Sequence, residues 1–277
     1  MTTTRNMVLT GVNGDRINLV NDEDYELATT STVHSGQSYV FTEKPLVGYD
    51  GNFTSGVEVK PKDVVLPIRV FSDSELDQDQ KLQRLSEILG AHGECQLTHT
   101  RTDGTKRHLF VQYRGGFDSL IVAYGGKNHV LVNVTFRASN PFWLAHEEQP
   151  IETFNLGGSN DTTGAVWEFD VDGDVPEVWP RWHITGNANN IQIIDLSTGR
   201  FLRIKEVINN TQDIRIDTRP RNSGVWLNDV YLQSVVLDDA STFFPLRSGY
   251  NRLLVKGVGA APAGVLTVRW QNRYFTP

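Results

Sequence analysis

The chain has 277 residues, of which 39% are hydrophobic and 21% charged, with a formal charge of −7 and a single cysteine, Cys95. Length allows two compact units, and the composition excludes disordered and fibrous classes. The negative charge argues against a nucleic-acid reader, which needs Lys and Arg to neutralise phosphates, and one cysteine leaves no intrachain disulfide.

The start, Met1 to Met7, lacks the apolar stretch of a signal peptide. No run approaches the roughly 20 apolar residues that span a bilayer, so we expect folding in the cytosol and no membrane insertion. Short strands punctuated by turns fill the first half. Val8 to Val12 and Ile17 to Val20 flank Asn13-Gly14, Cys95 to Thr100 and Leu109 to Tyr113 flank Asp103-Gly104, and Leu120 to Tyr124 and His129 to Phe136 flank Gly125-Gly126. Each pattern predicts a hairpin. Val130, Val132, Val134 and Phe136 share the core face of the last strand.

The segment from Val33 to Lys62 reads as a loop or an extended arm, and Gly48, Tyr49, Asp50, Gly51, Asn52 and Phe53 are its candidate subunit-interface residues. One helix is predicted from about Asp73 to Leu89, with Leu82, Leu85, Ile88 and Leu89 on one stripe. Ser72 and Glu75 suggest a capping box, Phe71 and Leu76 a hydrophobic staple, and Gly90 the C-terminal stop.

The second half, from near Pro150, is read as entirely β. Ile191 to Leu196 and Phe201 to Ile204 flank Ser197-Thr198-Gly199, while Ile214 to Thr218 and Val265 to Trp270 alternate as sandwich strands do.

Residues with catalytic or metal-binding potential do not assemble into a motif. Asp170, Asp172, Asp174 and Glu177 read as a solvated strand end rather than a glycosidase pair or a calcium loop. The histidines at 34, 92, 99, 108, 129, 146 and 183 lack metal spacing, and His99 and His108 read as a surface pair across their hairpin. Cys95 reads as a small buried thiol. Neither a catalytic residue nor a cofactor or metal site is expected.

Two stretches carry a resemblance. The first domain ends in Phe136-Arg137-Ala138-Ser139-Asn140-Pro141-Phe142-Trp143. The second contains, in order, Gly173-Asp174 leading to Trp179-Pro180, Ile184-Thr185-Gly186, Asp195 to Gly199, Ile216-Asp217-Thr218, and Pro245 to Val255 around Gly249-Tyr250-Asn251. Together these resemble the siphophage distal tail family, although Asn140 stands where the family has an acid. The resemblance implies a mainly β protein: residues 1–148 a tail-tube-like, ring-forming β-sandwich or barrel with one helix, and residues 149–277 a galectin-like β-sandwich.

It further implies a structural virion protein of the tail-tip baseplate, a hexameric ring joining the tail tube to the host-recognition tip. Its partners would be further copies of itself, the tail tube protein, and a tail-associated host-binding or lytic protein; assembly would take place in the bacterial host cytoplasm. A weakly acidic surface would suit a channel for DNA. The alternative function is a carbohydrate-binding module that contacts host cell-wall polysaccharide through the second domain, with Trp179, Trp182 and Trp226 as the candidate platform. Core packing competes with that role for each of these rings, and for Tyr231, Phe243 and Phe244.

Overall fold

The computed structural model describes residues 6–20, 22–28, 31–33, 38–45, 52–90, 93–117, 120–122, 129–148, 152–156, 164–220, 222–232, 236–258 and 264–277. Two compact units result, one of residues 1–146 with 274–277 and the other of residues 147–273.

In the first unit, the Asn13-Gly14 turn joins β1 (Asn6–Thr10) to β2 (Arg16–Asn18), and the Asp103-Gly104 turn joins β7 (Glu94–Thr100) to β8 (Lys106–Gly115), as the sequence predicts. β3 (Tyr25–Leu27) and β6 (Lys62–Phe71) pair with each other; β9 (Leu120–Val122) and β10 (His129–Ala138) form the third expected hairpin. The sheet runs β2-β1-β7-β8-β10-β6-β3, and the Leu27 amide donates to the Leu19 carbonyl, so its two ends meet and it curls around its own core. Val130, Val132, Val134 and Phe136 are buried on one face of β10, as their period-two spacing demands.

β6 carries Pro67 inside a strand flanked on both sides, a position proline ordinarily avoids because it lacks a ladder donor. Here the Pro67 carbonyl accepts from Ala28, one residue beyond the end of β3. A strand residue's N and O point to the same side, so the missing N–H faces that edge and leaves the pairing with β10 intact.

Helix α1 (Glu75–Leu89) buries Leu85, Ile88 and Leu89. Its start corrects the sequence reading: the N-cap is Ser74, not Ser72. Ser74 Oγ accepts from the Asp77 amide at 3.1 Å and Asp77 Oδ2 accepts from the Asp73 amide at 3.0 Å, a variant of the box displaced by two residues in which the returning bond reaches N′ instead of the N-cap. With that frame Phe71 and Leu76 no longer occupy staple positions, and Leu76 is exposed. Lys81 explains the shift, since its ammonium reaches Asp77, Asp24 and the Phe71 carbonyl together. Gly90 ends the helix at φ +54°, its amide donating to Ser86.

The last residues belong to the first unit. The Arg107 guanidinium lies 3.5 Å from the Tyr274 ring centre and donates to the Thr276 carbonyl, and Phe275 packs edge-on against Phe142.

The second unit is a β-sandwich. One sheet holds β12 (Glu152–Asn155), β23 (Val265–Arg269), β15 (Arg181–Thr185), β18 (Asp213–Asp217), β19 (Gly224–Leu227) and β20 (Val230–Tyr231), in that order. The other holds β13 (Ala165–Val171), β22 (Gly249–Val258), β16 (Asn189–Asp195) and β17 (Phe201–Arg203). Alternate residues of both sheets, among them Trp182, Ile216 and Val225 from the first and Phe169, Ile193 and Leu253 from the second, fill one core. The molecule is mainly β, with α1 the helix of the first unit.

Candidate functional site

The segment read as loop or arm contains two strands among its described residues. β4 (Tyr39–Pro45) and β5 (Asn52–Val59) pair antiparallel as a two-stranded sheet of their own, with a register shift at Thr42/Glu43. Tyr39 and Phe41, two residues apart on one strand face, have ring centres 6.4 Å apart and are 44% and 58% exposed. Gly48 to Gly51 lie outside the described residues; Asn52 and Phe53 open β5. The signal overlooked was the alternation of β-favouring Tyr39, Val40, Phe41 and Thr42, obscured by the charged and glycine-rich residues that follow.

The three tryptophans named as one platform do not share a surface. Trp182 is 1% exposed and packs on Phe244 in the sandwich core, so its ring offers no face to a ligand. Trp179 follows the short strand β14 (Glu177–Val178) and is half-buried. Trp226 stands on the opposite face of the sheet from Trp182, because the register pairs His183 with Arg215 and Arg215 with Trp226, one residue out of step with the core row Trp182, Ile216, Val225.

On that outer face the Trp226 ring lies against Gly224. A Cβ at Gly224 would stand 2.7 Å from Trp226 Cη2 and 2.8 Å from Tyr231 Cε2, so only glycine lets both rings settle onto the sheet. Tyr231 meets the Trp226 ring edge-on, with centroids 5.7 Å apart and planes at 70°. Beside them, Arg215 is held by Asp213 at 3.0 Å and Asp229 at 2.8 Å, and His183 Nε2 lies 3.1 Å from Asp213 Oδ2. Arg219 forks onto Asp217, which is paired with Gly224. Tyr231 also lines a cavity of about 540 Å³ together with Leu232, Asp238, Asp239, Ser241 and Phe243. Gly224 two residues before Trp226 was the legible signal for a ring lying flat on a strand.

His99 and His108 are not a surface pair. The register sets Thr98 opposite His108 and His99 opposite Arg107, placing the two imidazoles on opposite faces, and both are buried. His99 packs edge-on against Trp143, while His108 contacts Thr98, Gln96 and His146. Burial, reinforced by the neighbouring His146 and Lys106, lowers the His108 pKa to about 4. Cys95 is buried with its thiol directed at the Leu89 carbonyl, and burial raises its pKa away from nucleophilic reactivity. Asp170, Asp172, Asp174 and Glu177 are exposed along the end of β13 and the turn after it. Among the described residues no group of three or more His, Cys, Asp or Glu is arranged to hold a metal ion.

Comparison with known proteins agrees with this architecture. Residues 172–274 match the family model of the siphovirus-type tail component, C-terminal domain. The chain is similar to the crystal structure of the phage SPP1 Dit protein, described as a paradigm of the hub adsorption apparatus in phages infecting Gram-positive bacteria; the TM-score is 0.69 at 14% identity, covering 97% of this chain and 99% of that one. It is also similar to a chain of the phage P2 baseplate in its activated conformation with Ca, at TM-score 0.53 and 11% identity, covering 99% of this chain and 100% of that one. The same baseplate with Sr gives TM-score 0.51 and 11% identity over 97% and 98% of the two chains. No curated protein sequence matches the chain. Residues 172–274 therefore carry the siphovirus-type tail component C-terminal domain, and the chain as a whole has the fold of the siphophage distal tail proteins.

Proposed function

We propose that this protein is a non-enzymatic distal tail subunit whose copies close into a ring of six at the virion tail tip, between the tail tube protein and a tail-associated host-binding or lytic protein. Assembly takes place in the bacterial host cytoplasm, with no specific nucleic-acid binding and no membrane insertion. The number six and the two neighbours follow from the resemblance to distal tail proteins, and the whole-chain likeness to the SPP1 Dit fold supports the reading.

One observation carries it. A two-stranded ribbon is marginally stable by itself in water, yet β4–β5 stands apart from the curled sheet and exposes Tyr39 and Phe41. A neighbouring copy that covers these rings and pairs a ribbon edge makes a heterologous contact, and a heterologous contact whose rotation closes builds a ring. Of the interface residues expected from sequence, Gly48, Tyr49, Asp50 and Gly51 lie in the chain between the two strands of the ribbon, and Asn52 and Phe53 open β5.

The test is the oligomeric state of the full chain, alone and mixed with tail tube subunits, by mass photometry and negative-stain imaging. Rings of six copies are expected. Deleting residues 46–54, or replacing Phe41 by Asp, is expected to abolish them while the melting temperature of the monomer stays unchanged; rings that survive both changes contradict the assignment of the arm.

A further inference from the structure

We propose that the outer face of the six-stranded sheet at β18–β20 is a binding site for a neutral pyranoside, centred on Trp226. This inference is independent of ring closure, since every residue it uses lies in the second unit.

A pyranose has one face of C–H groups and a rim of hydroxyls. Its complement is a flat aromatic ring bordered by groups that both donate and accept hydrogen bonds. The Trp226 indole is already held in that posture by Gly224 beneath it and Tyr231 at its edge, so stacking demands little further ordering of side chains. The border mixes donors and acceptors: the Arg215 guanidinium is fixed between Asp213 and Asp229, and His183 is fixed on Asp213. Two carboxylates together offer about eight lone-pair sites against the five N–H donors of one guanidinium, and Arg215 gives each aspartate one bond, so sugar hydroxyls find acceptors in the aspartates and donors in the arginine.

Charge narrows the ligand class. Asp213 and Asp229 are paired with Arg215, and Asp217 with Arg219, so these groups leave no cationic excess beside the ring to draw a phosphate or an anionic sugar. The centre of a protein interface is depleted of such charges, whereas here they surround the half-buried Trp226 indole. Beyond Tyr231 the cavity of about 540 Å³, with Asp238, Asp239 and Ser241 in its wall, has room for a second unit of a glycan chain.

The test titrates the full chain with methyl β-glucopyranoside, methyl β-galactopyranoside and methyl N-acetyl-β-glucosaminide, followed by tryptophan fluorescence and saturation-transfer NMR. Saturable binding of at least one glycoside is expected, with a dissociation constant on the order of 1 mM. Trp226→Ala and Gly224→Ala should each weaken it at least about tenfold, and Trp179→Phe should leave it unchanged. Arg215→Leu, which keeps both rings, checks the polar border should either ring variant melt early. Absence of saturation with all three glycosides overturns the proposal, as does binding that persists in a natively melting Trp226→Ala chain. A Trp226→Ala variant that loses a protein partner while the parent binds no glycoside also overturns it, and assigns the surface to protein contact.

Discussion

Two hairpins of the first unit use similar residues to opposite ends. β7–β8 lies between β1 and β10 and sinks Cys95, Leu97, Leu109 and Val111 into the core, so its strands are stabilised from both sides. β4–β5 has strands of comparable length but no third strand among the described residues, and it holds Tyr39 and Phe41 toward solvent. A chain that folds one hairpin inward and leaves the other as a ribbon can separate folding from assembly: the first supplies stability, and the second is the assembly element of the proposed ring. The six-stranded sheet of the second unit repeats the contrast in a single layer, with Trp182 in the core on one face and the half-buried Trp226 on the other.

Substitutions on the inward side of each contrast should act on stability. Trp182→Ala removes a fully buried ring and is expected to cost about 3–5 kcal/mol in chemical denaturation. Trp182→Phe should cost far less, since the indole N–H is buried without an acceptor among the described residues and its loss forfeits no hydrogen bond. Leu97→Ala in β7 should cost about 2–5 kcal/mol, and a smaller loss would mean that the embedded hairpin is not what anchors the first unit.

The same hairpin carries a pH dependence. His108 has a folded-state pKa of about 4 against an ordinary 6.5, so the unfolded chain takes up the proton first as pH falls. Its contribution is therefore fully present above pH 6.5, drains away between 6.5 and about 4, and is constant below. The gap corresponds to roughly 3 kcal/mol across that window. Denaturation midpoints measured from pH 7 to 4 should show this slope in the parent and a flatter one in His108→Gln; equal slopes would place the proton uptake elsewhere.

On the displayed side the effect on stability should nearly vanish. Phe41→Ala is expected to change monomer stability by less than about 0.5 kcal/mol, as surface substitutions do. Its consequence should appear only when copies meet.

Much of this contrast was legible in the residues. The Asn13-Gly14 and Asp103-Gly104 turns, the alternation of β10 and the stripe of Leu85, Ile88 and Leu89 fixed hairpins, core face and helix, because each is a local rule that the tertiary structure obeys. β6 escaped notice because Pro67 argues against a central strand, and only the end of β3 one residue away makes it tolerable. The helix cap moved because Lys81 draws Asp77 and Asp24 together, a contact across the fold that no capping pattern contains. The tryptophans were grouped by chemistry, whereas strand parity decides their fate: Trp182 shares a face with Ile184, and Trp226 with Gly224. His99 and His108 were separated by a one-residue offset in register, which depends on how the turn closes.

The central claim, that the β4–β5 ribbon is an assembly element, is met most directly by mass photometry of the parent chain and of Phe41→Asp in the presence of tail tube subunits. The account predicts particles of six copies for the parent and single copies for the variant, with matching melting curves. A parent that stays monomeric beside its tube, or a variant that assembles as well as the parent, would contradict it.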